Sequence, residues 1–238
     1  MEKKDYYVLR QGNFKYHQKI AAFDLDSTLI RPRGQTKFCR FATDWKWLYP
    51  NIPSILKQYH QHNYSLVIFT NQFQRFKLNL IKKVINNLNL PIKAYVAYKK
   101  ILKKPHTFLF DLYKVNSEKN GVEIDKLRSF YVGDALGRVG DWSDSDKQFA
   151  LNLGLNYISP EIFFGLEIDV CEEFLTKINS NTALELKRKR KIDIFTQLVL
   201  TKLEKNLNKI YKVFANTIPK QKLLKSLLPK EVYAEIVK

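Results

Sequence analysis

Cysteine is nearly missing from this chain: Cys39 and Cys171 are the only two, far apart in sequence. That number excludes a cysteine-rich zinc cluster and argues against a disulfide framework, so a reducing intracellular compartment, nuclear or cytoplasmic, is expected. No apolar run reaches the length of a membrane span, and the opening MEKKDYYVLRQG has no signal-peptide core, so no membrane partner is expected. Acidic residues are scarce as well: 23 against 41 basic ones leave a net charge of +18 over 238 residues. Such a surplus attracts polyanions at long range and predicts salt-sensitive association, which points to nucleic acid. The alternative is plain solubility in a Lys-rich chain. With 45% apolar and 13% aromatic residues, the chain can bury one sizeable core and carry a smaller appendage.

What is present centres on Lys19-Ile-Ala-Ala-Phe-Asp-Leu-Asp-Ser-Thr-Leu-Ile30. An apolar run that reads as a buried strand ends in Asp24 and Asp26, with Thr28 following. Carboxylates two residues apart on an extended chain point the same way, and the ends of central strands are where α/β folds place their ligands. Close like charges repel in a dry site, so one must be neutralised by a cation or held protonated. One aspartate attacking while the other manages a proton is an arrangement for phosphoryl transfer. A strand-end turn rich in helix-capping residues is the structural alternative.

Further along, Ser65–Thr70 reads as a second buried strand ending in Thr70-Asn71-Gln72, and Ile92–Tyr98 as a third. Ser129–Val132 reads as a fourth, leading to Gly133-Asp134, with a last strand near Tyr157–Ile158. Between them, helices are predicted over Ile52–His62, 75–89, from Pro105 to about Tyr113, and near Ser145–Leu153. Strands alternating with helices predict a parallel sheet flanked on both faces. Residues 1–18 read as a polar lead-in with a short strand at Tyr6–Leu9, 19–165 as the α/β domain, and 166–238 as a basic helical extension. From Thr182 onward there are 14 basic and 5 acidic residues, including the run Lys187–Lys191. An apolar stripe from Phe195 to Phe214 in that segment needs a partner surface.

The segments AAFDLDSTLIRPRG (21–34), DWKWLYPNIP (44–53), LVIFTNQ (66–72), KKP (103–105), FYVGDALGR (130–138) and DKQFALNLGL (146–155) resemble those of haloacid dehalogenase-type phosphotransferases. More narrowly, they resemble the phosphatase domain of polynucleotide kinase 3′-phosphatases. The resemblance covers roughly residues 15–165. It implies a Rossmann-like parallel sheet without a large cap domain, and a Mg²⁺-dependent phosphatase that clears 3′-phosphates from DNA strand breaks during repair. Asp24 is then the nucleophile that forms an aspartyl-phosphate, and Asp26 the proton donor and acceptor. Thr70 holds a phosphoryl oxygen, and Lys104 offsets charge on the transferring group. The metal is held by Asp24, the Asp26 carbonyl and Asp134, with Asp146 or the nearby Asp144 in support. Thr28 and Asn71 join the substrate-binding set. Read from its own residues, a small flap over 31–44 offers Arg31, Arg33, Lys37 and Arg40 to phosphates upstream of a 3′ end. Phe38, Phe41, Trp45 and Trp47 are candidates to stack on terminal bases, with core packing the alternative for one or both tryptophans.

Ser27 departs from the glycine that most of that family carry there, and is expected to be tolerated with an extended backbone. No GxxxxGK[ST] run occurs, so no 5′-kinase activity is expected, and the chain reads as a stand-alone, monomeric phosphatase with ligase or polymerase partners. Two other readings remain open: a capless phosphoprotein phosphatase, and a non-enzymatic scaffold that binds DNA ends.

Overall fold

A computed structural model describes residues 4–165 of the chain. The expected basic helical extension over 166–238, with Lys187–Lys191 and the Phe195–Phe214 stripe, lies outside the described residues.

Six strands make one sheet: β1 (Tyr6–Gln11), β2 (Lys19–Phe23), β5 (Tyr64–Asn71), β6 (Ile92–Ala97), β7 (Phe130–Val132) and β8 (Asn156–Ile158). Their order is β1-β6-β5-β2-β7-β8. All pairings are parallel except β1 with β6, where Tyr6 opposes Ala97 and Gln11 opposes Ile92. The lead-in over 1–18 is therefore built into the sheet, as an antiparallel edge strand two residues longer than expected. A two-stranded ribbon, β3 (Ile30–Arg31) with β4 (Lys46–Trp47), closes the base of the flap.

The helices are α1 (Ile52–Gln61), α2 (Phe76–Leu88), α3 (Phe108–Lys119), α4 (Ser145–Leu153) and α5 (Pro160–Gly165). The strands alternate with period two, and each face has its own core. Ala21 and Phe23 of β2, with Leu66 and Ile68 of β5, pack against Tyr59, Leu80, Val84 and Phe163 of α1, α2 and α5. Ile20 and Ala22, with Val67 and Phe69, face Leu109, Tyr113, Phe149 and Leu153 of α3 and α4. Chain order runs outward from β2 to β5 on one side and to β7 on the other. The carboxyl end of β2 is thus a switch point, where the flanking connections diverge and leave a crevice.

Two helices also differ from the sequence reading. Pro105 does not open α3: the Lys103–His106 turn, closed by the His106 N–H on the Lys103 carbonyl at 3.0 Å, delays the helix to Phe108. The helix then runs on to Lys119 because Ser117 continues its buried stripe. The short α5 was not expected from sequence, and it exists because Phe163 and Phe164 cover Phe23, at centroid distances of 5.9 and 6.0 Å.

Candidate active site

Asp24 is the first residue past β2, and its N–H is held by the Val132 carbonyl of β7 at 2.8 Å. The backbone then folds into a tight turn: the N–H groups of Leu29 and Ile30 both reach the Leu25 carbonyl, at 2.9 and 3.0 Å. Ser27 sits inside this turn with φ of 59°, in the left-handed region. The expected extended backbone at Ser27 is thus not what the turn requires. A left-handed residue there explains why glycine suits the position.

Lys104 is the hub of the site. It is almost wholly buried, and its Nζ donates to Asp24 Oδ1 at 2.6 Å, Asp146 Oδ1 at 2.7 Å and Tyr131 Oη at 2.7 Å. Asp146, on the first turn of α4, also accepts the Tyr131 hydroxyl at 3.0 Å and the Ala135 N–H at 3.1 Å. A Cβ on Gly133 would lie 2.5 Å from the Asp146 carboxyl carbon, so glycine at the end of β7 makes room for that carboxylate. Asp134 follows, and Thr28 donates to its Oδ1 at 3.4 Å. Asp144 is instead the N-cap of α4, with an exposed link to Gln148, so of the two alternatives Asp146 is the one inside the site.

Carboxylate oxygens of Asp24, Asp134 and Asp146 lie within 4.8 Å of one another. Fully ionised, three carboxylates against one ammonium would leave two negative charges in a largely dry pocket, and the site resists that charge by holding protons. Burial, with the opposing pull of Lys104 and repulsion from Asp146, pushes Asp24 up to about 7. Burial and repulsion from Asp24 and Asp146 push Asp134 up to about 8. Burial alone would lower Lys104, but Asp146 and Asp24 hold it above the usual lysine range. An all-oxygen donor set with this excess charge fits a hard divalent cation such as Mg²⁺.

Asp26 is held separately. Its Oδ1 accepts Lys77 Nζ at 2.6 Å and its Oδ2 accepts Gln72 Nε2 at 2.8 Å. Gln72 also donates to Thr70 Oγ1 at 2.9 Å, which ties the end of β5 to the β2 turn. Gln72, Lys77 and Tyr131 received no role from sequence. Gln72 and Lys77 stand within seven residues of Thr70 at a strand-to-helix junction, a placement that flags them in retrospect; Tyr131 carries no such signal.

Asp24, Asp26, Thr70, Asn71 and Lys104 line one cavity of about 520 Å³, together with Asp134 and Asp146. Its outer wall is Lys37 and Phe38 from the flap, Phe73, and Trp142, whose ring lies 3.9 Å from Lys37 Nζ. Other expected substrate contacts are placed elsewhere. Trp45 and Trp47 stack edge to face on each other at 5.2 Å and pack on the core, and neither lines the cavity. Phe41 is exposed but does not line it. Arg33 is turned back on the flap, its Nε donating to the Thr43 carbonyl at 3.3 Å, and neither it nor Arg31 lines the cavity. Thr28 is fully buried beneath Asp134. Asn71 lines the cavity, but its amide is spent on the Lys104 backbone.

A family model described as polynucleotide kinase 3 phosphatase matches residues 19–164. A bifunctional polynucleotide phosphatase/kinase of Schizosaccharomyces pombe is 36% identical over 168 residues, 66% of this chain but 40% of that protein. An uncharacterized 20.8 kDa protein of Autographa californica nuclear polyhedrosis virus is 36% identical over 71% of this chain and 98% of its own length. A polynucleotide 3′-phosphatase of Arabidopsis thaliana is 32% identical, over 66% of this chain and 26% of that protein. The chain therefore spans well under half the length of the named polynucleotide phosphatases of fission yeast and Arabidopsis. Among solved structures, one from Mesorhizobium loti described as a had-like phosphatase superposes with a TM-score of 0.52 at 14% identity. The match covers 75% of this chain and 95% of that one. At that identity the likeness speaks for the fold.

Proposed function

The chain belongs to the polynucleotide kinase 3 phosphatase family, and from that membership and the carboxylate site we propose that it hydrolyses 3′-phosphates at DNA strand ends. The observation that carries the mechanism is Asp24, a buried carboxylate gripped by Lys104 at 2.6 Å and opening onto the cavity beside Asp134 and Asp146.

In the first half-reaction an Asp24 oxygen bonds to phosphorus, the bond to the 3′ oxygen breaks, and Asp26 gives that oxygen a proton. In the second, water attacks the aspartyl-phosphate, its proton goes to Asp26, and phosphate leaves with Asp24 restored. Lys77 donates to one Asp26 oxygen and Gln72 to the other, which fixes the orientation of the carboxyl that carries the proton. Lys104 balances charge on the nucleophile, and Thr70 presents its hydroxyl to a phosphoryl oxygen. Asp24, Asp134 and Asp146, with the Asp26 carbonyl, would hold Mg²⁺, whose charge would offset that of the phosphate oxygens. A role in DNA repair follows from the product, a 3′-hydroxyl that polymerases and ligases use. Among the described residues no helix is long and apolar enough to cross a membrane.

The test is phosphate release from a 3′-phosphorylated DNA oligonucleotide, with Mg²⁺ and with EDTA, beside a 5′-phosphorylated strand and a phosphopeptide. Mg²⁺-dependent release from the 3′ end, abolished in Asp24→Asn, is expected. Undiminished release by Asp24→Asn sinks the mechanism, and release from the phosphopeptide alone moves the chain to protein substrates.

A further inference from the structure

Phe73 is 84% exposed and stands between two cavities, lining both. Beyond it, away from Asp24, lies a second hollow of about 370 Å³ walled by Lys4, Tyr7, Arg75, Tyr98 and Lys99, with Asp5. The sheet edge builds this wall. Tyr7 of β1 meets Tyr98, just past β6, edge to face at 5.8 Å, and the Tyr98 hydroxyl donates to the Gln74 carbonyl at 3.3 Å. That bond ties the wall to the segment carrying Phe73 and Arg75.

The charge here is one-sided. Asp5 is engaged by Lys99 at 3.1 Å, while Lys4 and Arg75 form no ion pair among the described residues. Lys103, largely buried, holds its Nζ 3.1 Å from the Phe73 ring centroid. Cations interleaved with aromatic faces are what a single polynucleotide strand uses, since its phosphates need neutralising and every base offers a face to stack. An acidic peptide would use the cations and leave the rings idle.

We infer that this hollow is the subsite for nucleotides upstream of the 3′-terminal one. It rests on the reading of the catalytic cavity as a 3′-phosphate site. The strand leaves that cavity across Phe73, with Arg75 and Lys4 against its phosphates and Tyr98 available to a base. The active site then favours an end with several unpaired nucleotides behind it.

The experiment compares kcat/KM on 3′-phosphorylated DNA single strands of two and ten nucleotides, for the native chain, Arg75→Glu and Arg75→Lys. Arg75 lies just before α2, where an acidic residue suits the helix dipole, so the Glu variant should fold. The native chain is expected to prefer the longer strand. Arg75→Glu is expected to cut that preference at least about fivefold through KM, with a shallower salt dependence, and Arg75→Lys to restore most of it. Equal preference in the native chain and Arg75→Glu overturns the subsite. If neither strand releases phosphate, the catalytic reading has failed separately, and fluorescence anisotropy with an unphosphorylated ten-nucleotide strand still decides. Weaker binding by Arg75→Glu supports the groove, and unchanged binding overturns it. Displacement of that strand by polyglutamate at equal charge overturns the assignment to a polynucleotide.

Discussion

Asn71 and Lys104 grip each other through two hydrogen bonds across the mouth of the site. The Asn71 amide donates to the Lys104 carbonyl at 3.1 Å, and its Oδ1 accepts the Lys104 N–H at 2.8 Å. The side chain expected to bind substrate is thus spent on fixing the backbone of the lysine that holds Asp24. Asn71→Ala should lower kcat about tenfold by loosening Lys104, with KM little changed, and cost about 1–2 kcal/mol of stability. Steady-state kinetics and a denaturant melt check both; a rise in KM with kcat intact would return Asn71 to substrate contact.

Lys77 fixes Asp26 from a buried position, with its side chain 5% exposed. Lys77→Met keeps much of the packing volume but frees one Asp26 oxygen. At least about a tenfold fall in kcat is expected, because a proton donor out of position loses most of its effect. Single-turnover phosphate release from a 3′-phosphorylated strand measures it, and near-native rates would mean that Gln72 alone suffices.

The crowded carboxylates make the metal-free protein sensitive to pH. Aspartates in an unfolded chain ionise near about pH 4, whereas burial and mutual repulsion hold Asp24 up to about 7 and Asp134 up to about 8. Raised acids favour the folded state fully below the unfolded value, and that contribution is lost as pH rises through about 7 and about 8. In EDTA the melting temperature should therefore fall from about pH 5 to about pH 8. The increment from added Mg²⁺ should grow over the same range, because the cation binds the ionised carboxylates. Thermal melts across that range, with and without Mg²⁺, check the sign; an increment that shrinks with pH would contradict the cluster as the metal site.

Ser27 carries a left-handed backbone in the turn immediately after Asp26. A non-glycine residue there costs roughly 1–2 kcal/mol, partly offset by the extra entropy glycine loses on folding. Ser27→Gly should stabilise the protein by about 0.5 kcal/mol, seen as a higher urea midpoint at an unchanged slope. Destabilisation would show that the Ser27 hydroxyl makes a contact worth more than the strain.

The strands, most helices and the aspartates at the end of β2 were legible from sequence, because period-two burial and polar strand ends are written locally. Asp24, Asp26, Thr70, Lys104, Asp134 and Asp146 all line one cavity. Other features were not legible, because they depend on distance in space between residues far apart in the chain. Trp45 and Trp142 are equally good stacking candidates as letters; only packing puts Trp45 against the core and Trp142 at the cavity rim. Asn71 differs from a substrate ligand only by what stands opposite it, and Lys77 and Tyr131 acquire meaning from carboxylates 51 and 15 residues away. The sequence determined which carboxylates stand at the carboxyl end of β2 and in the motifs that meet them. The tertiary structure decided which groups hold them in place, because a side chain's hydrogen-bond partner is a property of the assembled fold.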